Sequence, residues 1–219
     1  MLSVLLPDNG KSLNVLCLGA HCDDIEIGCG GTLLSLLTKS RPVTLTWVVF
    51  ASNAARRKEA ETGAELFAGN AAHLDLHIHD FRDGFLPTEA VRLKEAFEAL
   101  KQSIDPPDVI FTHYREDLHQ DHRMISDLTW NTFRNHLILE YEIPKWDGDM
   151  SSPNGYVPLS RDIGECKIHY LQQSYNSQQS KRWFTDDLFW SVMRIRGMEC
   201  QSDSSIAEGF YIRKLSLAL

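Results

Sequence analysis

The chain has 219 residues, 43% of them apolar and 24% charged, a balance typical of one globular α/β domain with a full-sized core. The formal net charge of −8 excludes a general nucleic-acid or anionic-membrane binder but leaves open a local basic pocket for a phosphate. The first eleven residues include Asp8 and Lys11 and no long apolar run, so we expect neither a secretory signal nor a membrane span.

The cysteines are odd in number and form no CxxC pair: Cys17, Cys22, Cys29, Cys166 and Cys200. Without a secretory signal, this usage predicts reduced thiols in a cytoplasmic compartment. A zinc site built on Cys22 and Cys29 would lack a recognisable ligand spacing. We expect Cys22 to pack as a small buried apolar residue, the alternatives being a soft metal ligand or an oxidisable thiol.

Strand-like and helix-like segments alternate through the first half of the chain. Apolar and β-branched runs predict strands over 13–19, 43–50, 73–79 and 109–113, and amphipathic runs predict helices over 31–39, 54–69 and 88–104. The third strand alternates polar and apolar residues, so we place it near the sheet edge. Repeated strand–helix units predict a parallel, right-handed, doubly wound sheet.

The second half of the chain is less regular. Residues 123–139 are helix-like, 166–171 have a strand pattern, and a final helix begins at Asp186. Between the first two of these segments, residues 140–162 contain Pro, Gly and Ser residues that break regular structure. A loop of this length in a compact domain is usually functional or mobile, so we expect it to form a pocket wall or lid.

The first group of candidate catalytic or metal-binding residues follows the first strand. His21, Asp23 and Asp24 stand within four residues, and an imidazole with one carboxylate is half of a normal zinc shell. The second carboxylate is then a candidate for the base that takes a proton from a metal-bound water. The alternative is that the two aspartates are turn and helix-cap residues and His21 is incidental.

A second cluster, residues 117–122, follows the strand 109–113 and contains Asp117, His119, Asp121 and His122. Open α/β sheets bind their ligands at the carboxyl ends of strands. The two clusters can therefore meet at one sheet edge, and the second supplies the missing third ligand.

Together, residues 20–32 (A-H-C-D-D-I-E-I-G-C-G-G-T) and 119–122 (H-Q-D-H) resemble two motifs of the PIG-L/LmbE family of zinc-dependent N-deacetylases, A-H-P-D-D-x-E-x-G-x-G-G-T and H-x-D-H. The resemblance implies a Rossmann-like three-layer α/β/α sandwich with a mostly parallel sheet, and hydrolysis of an N-acyl group from an amino sugar or related conjugate. Residues 177–178 (S-Q) and 207–210 (A-E-G-F) extend it towards the C-terminus. Cys22 and Gln120 replace family prolines, which can loosen two loops but removes no ligand.

Carried over by position, the resemblance implies three zinc ligands, His21, Asp24 and His122. Asp23 falls at the family's general base, His119 at the imidazole that steadies the oxyanion, and Asp121 at the carboxylate that orients His119. Either Asp23 or His119 protonates the leaving amine. Fe²⁺ is an alternative to Zn²⁺ in such a ligand set.

Four further residues are candidates for substrate binding: Arg56, Asp83, Trp146 and Tyr156. An arginine fork suits a carboxylate or phosphate, an aspartate a sugar hydroxyl, and the two aromatic rings can stack on a sugar face. The alternatives are a solvated helix face, a turn and packing aromatics. One face of the third strand also carries His73, His77 and His79, which we expect to be exposed strand residues rather than a second metal site.

Three functions are compatible with these patterns. The first is a zinc hydrolase that removes acetyl, or formyl, from an N-acetylated amino sugar, free, phosphorylated or nucleotide-linked. The second is a dinucleotide-binding Rossmann protein whose glycines hold the cofactor, although the spacing is not G-x-G-x-x-G. The third is a noncatalytic zinc- or sugar-binding module. The sequence leaves the oligomeric state open, a homo-oligomer included.

Overall fold

The structure is a computed structural model that describes residue 3 and residues 10–216. Asp8, on which part of the expectation about the N-terminus rested, lies outside these residues. Among the described helices, none combines the length and the apolar character needed to cross a membrane.

In the described part of the chain, seven strands form one sheet in the order β3-β2-β1-β4-β5-β7-β6. The strands are β1 (Leu13–Gly19), β2 (Val43–Ala51), β3 (His73–Phe81), β4 (Val109–His113), β5 (Leu137–Tyr141), β6 (Gly155–Pro158) and β7 (Ala207–Ile212). Neighbours from β3 to β5 are parallel, and β7 runs antiparallel to both β5 and β6. The predicted mostly parallel sheet and the edge position of the third strand are confirmed.

Helices cover both faces of the sheet: α1 (Asp24–Leu37), α2 (Ala54–Phe67), α3 (Ala90–Ser103), α4 (Gln120–Thr132), α5 (Arg161–Ser174) and α6 (Asp186–Glu199). Helices α1, α2, α5 and α6 share one hydrophobic core, and α3 and α4 share the other. Val15 and Cys17 of β1 enter the first core, whereas Leu16 and Leu18 enter the second. A strand buried on both faces is typical of a parallel sheet between two helical layers.

Two predicted elements in the second half were wrong. The predicted helix 123–139 is α4 followed by strand β5, because Leu137–Tyr141 pairs in register with β4. The predicted strand 166–171 lies inside α5, where Lys167, Ile168 and Leu171 are buried at helical spacing and the Ser160 side chain caps the first turn. Strand β6 also shortens the irregular segment from 140–162 to 142–154.

Helix α1 begins at residue 24 rather than 31, so Gly28, Gly30 and Gly31 lie inside a helix and not in a loop. All three are buried against other elements. A Cβ atom at Gly28 would lie 2.2 Å from the ring of Tyr141, and one at Gly30 would lie 2.5 Å from the ring of Phe67. Close packing explains these glycines, and their buried backbone offers no cradle for a dinucleotide.

A buried ion pair joins Lys167 of α5 to Glu208 of β7, with 2.6 Å between Nζ and Oε1. The Glu208 carboxylate also accepts the N–H groups of Gly31 at 2.8 Å and Thr32 at 2.7 Å, and Lys167 donates to the carbonyl of Ile27 at 2.7 Å. These backbone groups lie in the middle of α1, where a side chain that bonds to them alters the usual i to i−4 hydrogen bonds of the helix. The ion pair therefore fixes α1 against α5 and β7.

Replacing Gly28 with Ala should destabilise the protein by about 1–3 kcal/mol, because the new methyl group must displace the Tyr141 ring from a packed core. Gly69→Ala is the matched control, since the nearest atom to its Cβ lies 3.4 Å away, and we expect a change within about 0.5 kcal/mol. Urea unfolding followed by circular dichroism measures both. Equal stabilities of the two variants would show that close packing does not require a glycine at position 28.

Candidate metal centre and active site

The two sequence clusters meet at the carboxyl edge of the sheet because β1 and β4 are parallel neighbours. The turn after β1 carries His21 and Asp23, and α1 begins with Asp24. At the end of β4, the Nε2 atom of His113 accepts the backbone N–H of Ala20 at 2.9 Å. This contact joins the chain just after β1 to the last residue of β4, between the two clusters.

Four potential ligand atoms, from the three implied ligands, converge in the cluster. His21 Nδ1 lies 3.2 Å from His122 Nε2 and 3.3 Å from Asp24 Oδ2, and His122 Nε2 lies 3.6 Å from Asp24 Oδ1. Zinc bonds of about 2.0–2.1 Å in a tetrahedral shell separate neighbouring ligand atoms by about 3.4 Å. The observed separations of 3.2–3.6 Å are close to that value, and the implied ligand set stays a prediction.

Three overlapping triads of described residues have ligand atoms within 4.8 Å of one another: His21, His119 and His122; Asp24, His113 and His122; His21, Asp83 and Asp121. All belong to this one cluster, and none of them contains all three implied ligands, His21, Asp24 and His122. The histidines of β3 lie elsewhere, where His77 Nε2 is 2.9 Å from a carboxylate oxygen of Asp75 and the His79 ring stacks on Phe50.

Carboxylates dominate the electrostatics of the cluster. Burial raises the pKa of Asp24, but three imidazoles outweigh it and hold that pKa well below its usual range. Burial lowers the pKa of His21, but Asp24, Asp121 and Asp83 outweigh it and raise that pKa well above its usual value. The cluster therefore attracts positive charge, whether a proton or a metal ion.

The outer nitrogen of each implied imidazole ligand also faces a carboxylate. His122 Nδ1 lies 2.9 Å from Asp117 Oδ2. His21 Nε2 lies 3.2 Å from Asp121 Oδ2 and 3.1 Å from Asp83 Oδ1. This arrangement is typical of metal-binding histidines, whose second nitrogen is held by an acceptor.

The carboxylate of Asp121 does not face His119, the ring that it was expected to orient. It accepts the N–H groups of Gly84 at 2.7 Å and Leu86 at 3.1 Å, and it approaches His21. The backbone N–H of Asp121 instead contacts His119, donating to Nδ1 at 3.2 Å. The two functional groups of Asp121 thus contact different rings.

His119 caps the N-terminus of α4 through that hydrogen bond. Because Nδ1 is an acceptor, a neutral His119 ring carries its proton on Nε2. Burial, followed by the nearby His122 and His21, lowers the pKa of His119 and favours this neutral form. His119 can therefore act as a hydrogen-bond donor through Nε2.

Asp23 is held by an arginine. Its Oδ1 lies 2.8 Å from Nη2 of Arg56, whose Nη1 donates to Glu59 at 2.9 Å and to the Ser177 hydroxyl at 3.2 Å. Burial raises the pKa of Asp23, with Arg56 acting in the opposite direction. Arg56 is thus already engaged by two carboxylates, one of them at the expected general base.

The segment 142–154 contacts the second cluster. Lys145 Nζ lies 2.9 Å from Asp117 and 2.5 Å from Asp149, and Asp149 accepts the backbone N–H of Leu118 at 2.7 Å. Next to this contact, the side chain of Trp146 is 74% exposed. The first part of the segment is therefore fixed beside the cluster, with an aromatic ring open to solvent.

The structure does not bring Tyr156 to the cluster. Tyr156 lies on the edge strand β6, and its hydroxyl donates to the Pro153 carbonyl at 2.8 Å and to Glu199 at 3.3 Å. Asp83, in contrast, touches His21 and has a side chain that is 80% exposed.

Cys22 is buried and its thiol donates to the carbonyl of Ala51 at 3.5 Å. Burial raises its pKa to about 12, which disfavours the thiolate that metal binding or oxidation needs. The expectation of a small packed residue is confirmed.

Sequence reasoning assigned no role to His113. This ring is fully buried, its Nε2 lies 3.2 Å from Asp24 Oδ2, and it stacks on His122 with 4.0 Å between ring centroids. The available signal was its place at the carboxyl end of a predicted strand. Asp117 also lay within the second motif, but only the structure shows its partners.

Comparison with known proteins identifies the family of this chain. Residues 16–133, more than half of the chain, match the PIG-L family, described as GlcNAc-PI de-N-acetylase. An Escherichia coli (strain K12) protein described as the uncharacterized deacetylase YaiS is 28% identical over 156 residues, which cover 65% of this chain and 80% of that protein.

Two solved structures share the fold. An N,N'-diacetylchitobiose deacetylase from Pyrococcus horikoshii is similar with a TM-score of 0.68 and 21% identity, over 91% of this chain and 83% of that one. The 4-carboxy-2-hydroxymuconate hydratase GalB from Pseudomonas putida KT2440 has a TM-score of 0.70 and 14% identity, over 95% and 98% of the two chains. The match over residues 16–133 decides the assignment: this chain belongs to the PIG-L (GlcNAc-PI de-N-acetylase) family.

Proposed function

We propose that this protein is a metal-dependent hydrolase that removes the N-acetyl group from an N-acetylated amino sugar. The observation that carries the proposal is the convergence of ligand atoms from His21, Asp24 and His122 within 3.2–3.6 Å, next to Asp23. These three residues would hold Zn²⁺, or Fe²⁺ as the alternative. A metal ion bound there supplies an activated water, by lowering its pKa towards ~7, and polarises the acyl carbonyl.

Asp23 is the proposed general base. Its carboxylate follows directly from the turn that carries His21, and the Arg56 guanidinium holds one of its oxygens. That contact fixes the orientation of Asp23, and the other oxygen is proposed to take the proton of the attacking water. Arg56 is therefore proposed to position the base first, and to bind a polar substrate group only through its remaining exposed edge.

His119 is proposed to stabilise the negative charge that develops on the acyl oxygen. Its Nδ1 is occupied by the N–H of Asp121, so its single proton, on Nε2, is the one available to that oxygen. Asp23 has by then accepted a proton from water. We therefore assign the protonation of the leaving amine to Asp23 rather than to His119.

Residues at the mouth of the cluster are proposed to bind the sugar. Asp83 offers an exposed carboxylate beside His21, and Trp146 offers an exposed ring on the segment 142–154, which is proposed to form one wall of the site. The deacetylase from P. horikoshii, which by its name acts on an N-acetylated sugar, supports this substrate class. Tyr156 is proposed to hold the segment in place through Pro153 and Glu199.

Two other functions remain as alternatives to be tested. The hydratase GalB has a similar fold, so fold alone does not establish deacetylation. A noncatalytic zinc- or sugar-binding module would keep the same ligand atoms. The arrangement of Asp23, Arg56 and His119 around those atoms favours an enzyme over a binding module, and acetate release separates a deacetylase from a hydratase.

Acetate release from free, phosphorylated and nucleotide-linked N-acetyl amino sugars should be detected with the metallated wild type and should be lost on metal removal. Asp23→Asn should lower kcat by about 10²–10⁴-fold while zinc content stays at the wild-type level, because the base is lost and the ligands remain. Full zinc occupancy without hydrolysis of any substrate would instead support a binding module.

His119→Gln should lower kcat by about 10²–10³-fold with zinc content unchanged, because the donor to the developing oxyanion is displaced. The matched control is His136→Gln, a substitution in the connection between α4 and β5, and we expect wild-type rates. Steady-state kinetics and metal analysis measure both. Loss of zinc in His119→Gln would make this residue a ligand rather than a donor.

Trp146→Ala should raise KM for the preferred sugar by about 2–10-fold with little change in kcat, because a stacking contact is removed and the chemistry is not. Leu215→Ala serves as the control and should leave KM unchanged, since this exposed apolar side chain follows β7 at the opposite edge of the sheet from the cluster. An unchanged KM in Trp146→Ala would remove this ring from the sugar site.

A further inference from the structure

We propose that Asp121 and Asp117 are positioning residues that each fix the tautomer of one imidazole, so that His21 presents Nδ1 and His122 presents Nε2 to the metal. This inference rests on the proposed function and adds to it the means by which the ligand atoms are oriented.

The first step concerns Asp121, which is fully buried. Its carboxylate accepts two backbone N–H groups, from Gly84 at 2.7 Å and from Leu86 at 3.1 Å. Gly84 has a φ of 79°, a left-handed conformation that glycine adopts without strain, so the Asp83–Gly84 turn directs its N–H to this carboxylate. Both oxygens of this carboxylate act as acceptors towards fixed donors, so it faces His21 as an acceptor too. His21 then donates from Nε2, and Nδ1 is the nitrogen left for a metal ion.

The second step concerns Asp117, which is also buried. One oxygen of the Asp117 carboxylate accepts the backbone N–H of His119 at 2.8 Å. The other oxygen lies 2.9 Å from the ammonium group of Lys145. The same oxygen lies 2.9 Å from Nδ1 of His122, which must therefore donate its proton to it. The lone pair of His122 Nε2 is then free as well.

The two tautomers leave lone pairs on the nitrogens that lie 3.2 Å apart, beside the Asp24 carboxylate. The opposite tautomer in either ring would place an N–H where a ligand lone pair is needed. Lys145 belongs to the segment 142–154, so this part of the proposed wall also holds Asp117, the carboxylate that contacts His122.

The test is a competition titration of metal-free protein with Zn²⁺ against a chromophoric chelator. We expect Asp117→Asn and Asp121→Asn each to bind Zn²⁺ about 10–100-fold more weakly than wild type. Asp83→Asn is the matched control: it also removes a carboxylate beside His21 Nε2, but one that is 80% exposed and screened, and we expect a change below about threefold.

Wild-type Zn²⁺ affinity in Asp121→Asn, together with a reduced kcat, would assign Asp121 to His119 and overturn the inference. Zinc binding by wild type with equal affinity in both variants would overturn it and leave the proposed function standing. A wild type that binds no zinc would overturn both. Where a variant does not fold, ¹⁵N NMR of the zinc-loaded wild type decides. A proton on His21 Nε2 and on His122 Nδ1 is expected, and the opposite position in either ring would overturn the inference.

Discussion

The buried carboxylate of Asp24 is the constraint on which the rest of the site depends. It opens helix α1, accepts the backbone N–H of His21 at 2.6 Å, and lies within 3.2–3.6 Å of a nitrogen of His21, His113 and His122. An isolated carboxylate is costly to bury, whereas one at a helix N-terminus and among imidazoles is stabilised. The site therefore requires α1 to begin at this one point.

Packing remote from the chemistry fixes α1 there. Gly28 lets the Tyr141 ring lie against the helix, and the Tyr141 hydroxyl donates to the carbonyl of Leu18 at 2.7 Å, at the end of β1. On the far side, Lys167 and Glu208 bond to mid-helix backbone groups. A buried ion pair is weak evidence for stability, but this one bonds to three groups of one helix, which favours a role in its register. The core thus determines where the ligand atoms lie.

The sequence was informative wherever chemistry followed a clear strand. His21, Asp24 and His122 each lie just beyond an apolar run, so the meeting of the two clusters could be predicted from the parallel sheet alone. Strand β5 and helix α5 could not be predicted from the sequence, because their short apolar patterns are compatible with both a strand and a helix. Pairing with β4 decides the first, and packing in the core decides the second. The partner of the Asp121 carboxylate was also beyond the sequence, since side-chain and backbone groups of one residue point to different rings.

Charge explains why this arrangement favours a divalent cation and a neutral substrate. Among the described residues in and around the cluster, the permanent cations Arg56 and Lys145 pair with four carboxylates, and three more lie beside His21 or His122: Asp23, Glu59, Asp117 and Asp149, then Asp24, Asp83 and Asp121. A divalent ion offsets part of that negative excess, whereas a phosphate placed against the same oxygens would be repelled. An anionic handle on the substrate would therefore have to lie away from the ligand atoms. In the proposed function, the uncharged amide of the N-acetyl group is the part of the substrate that lies at this edge of the sheet.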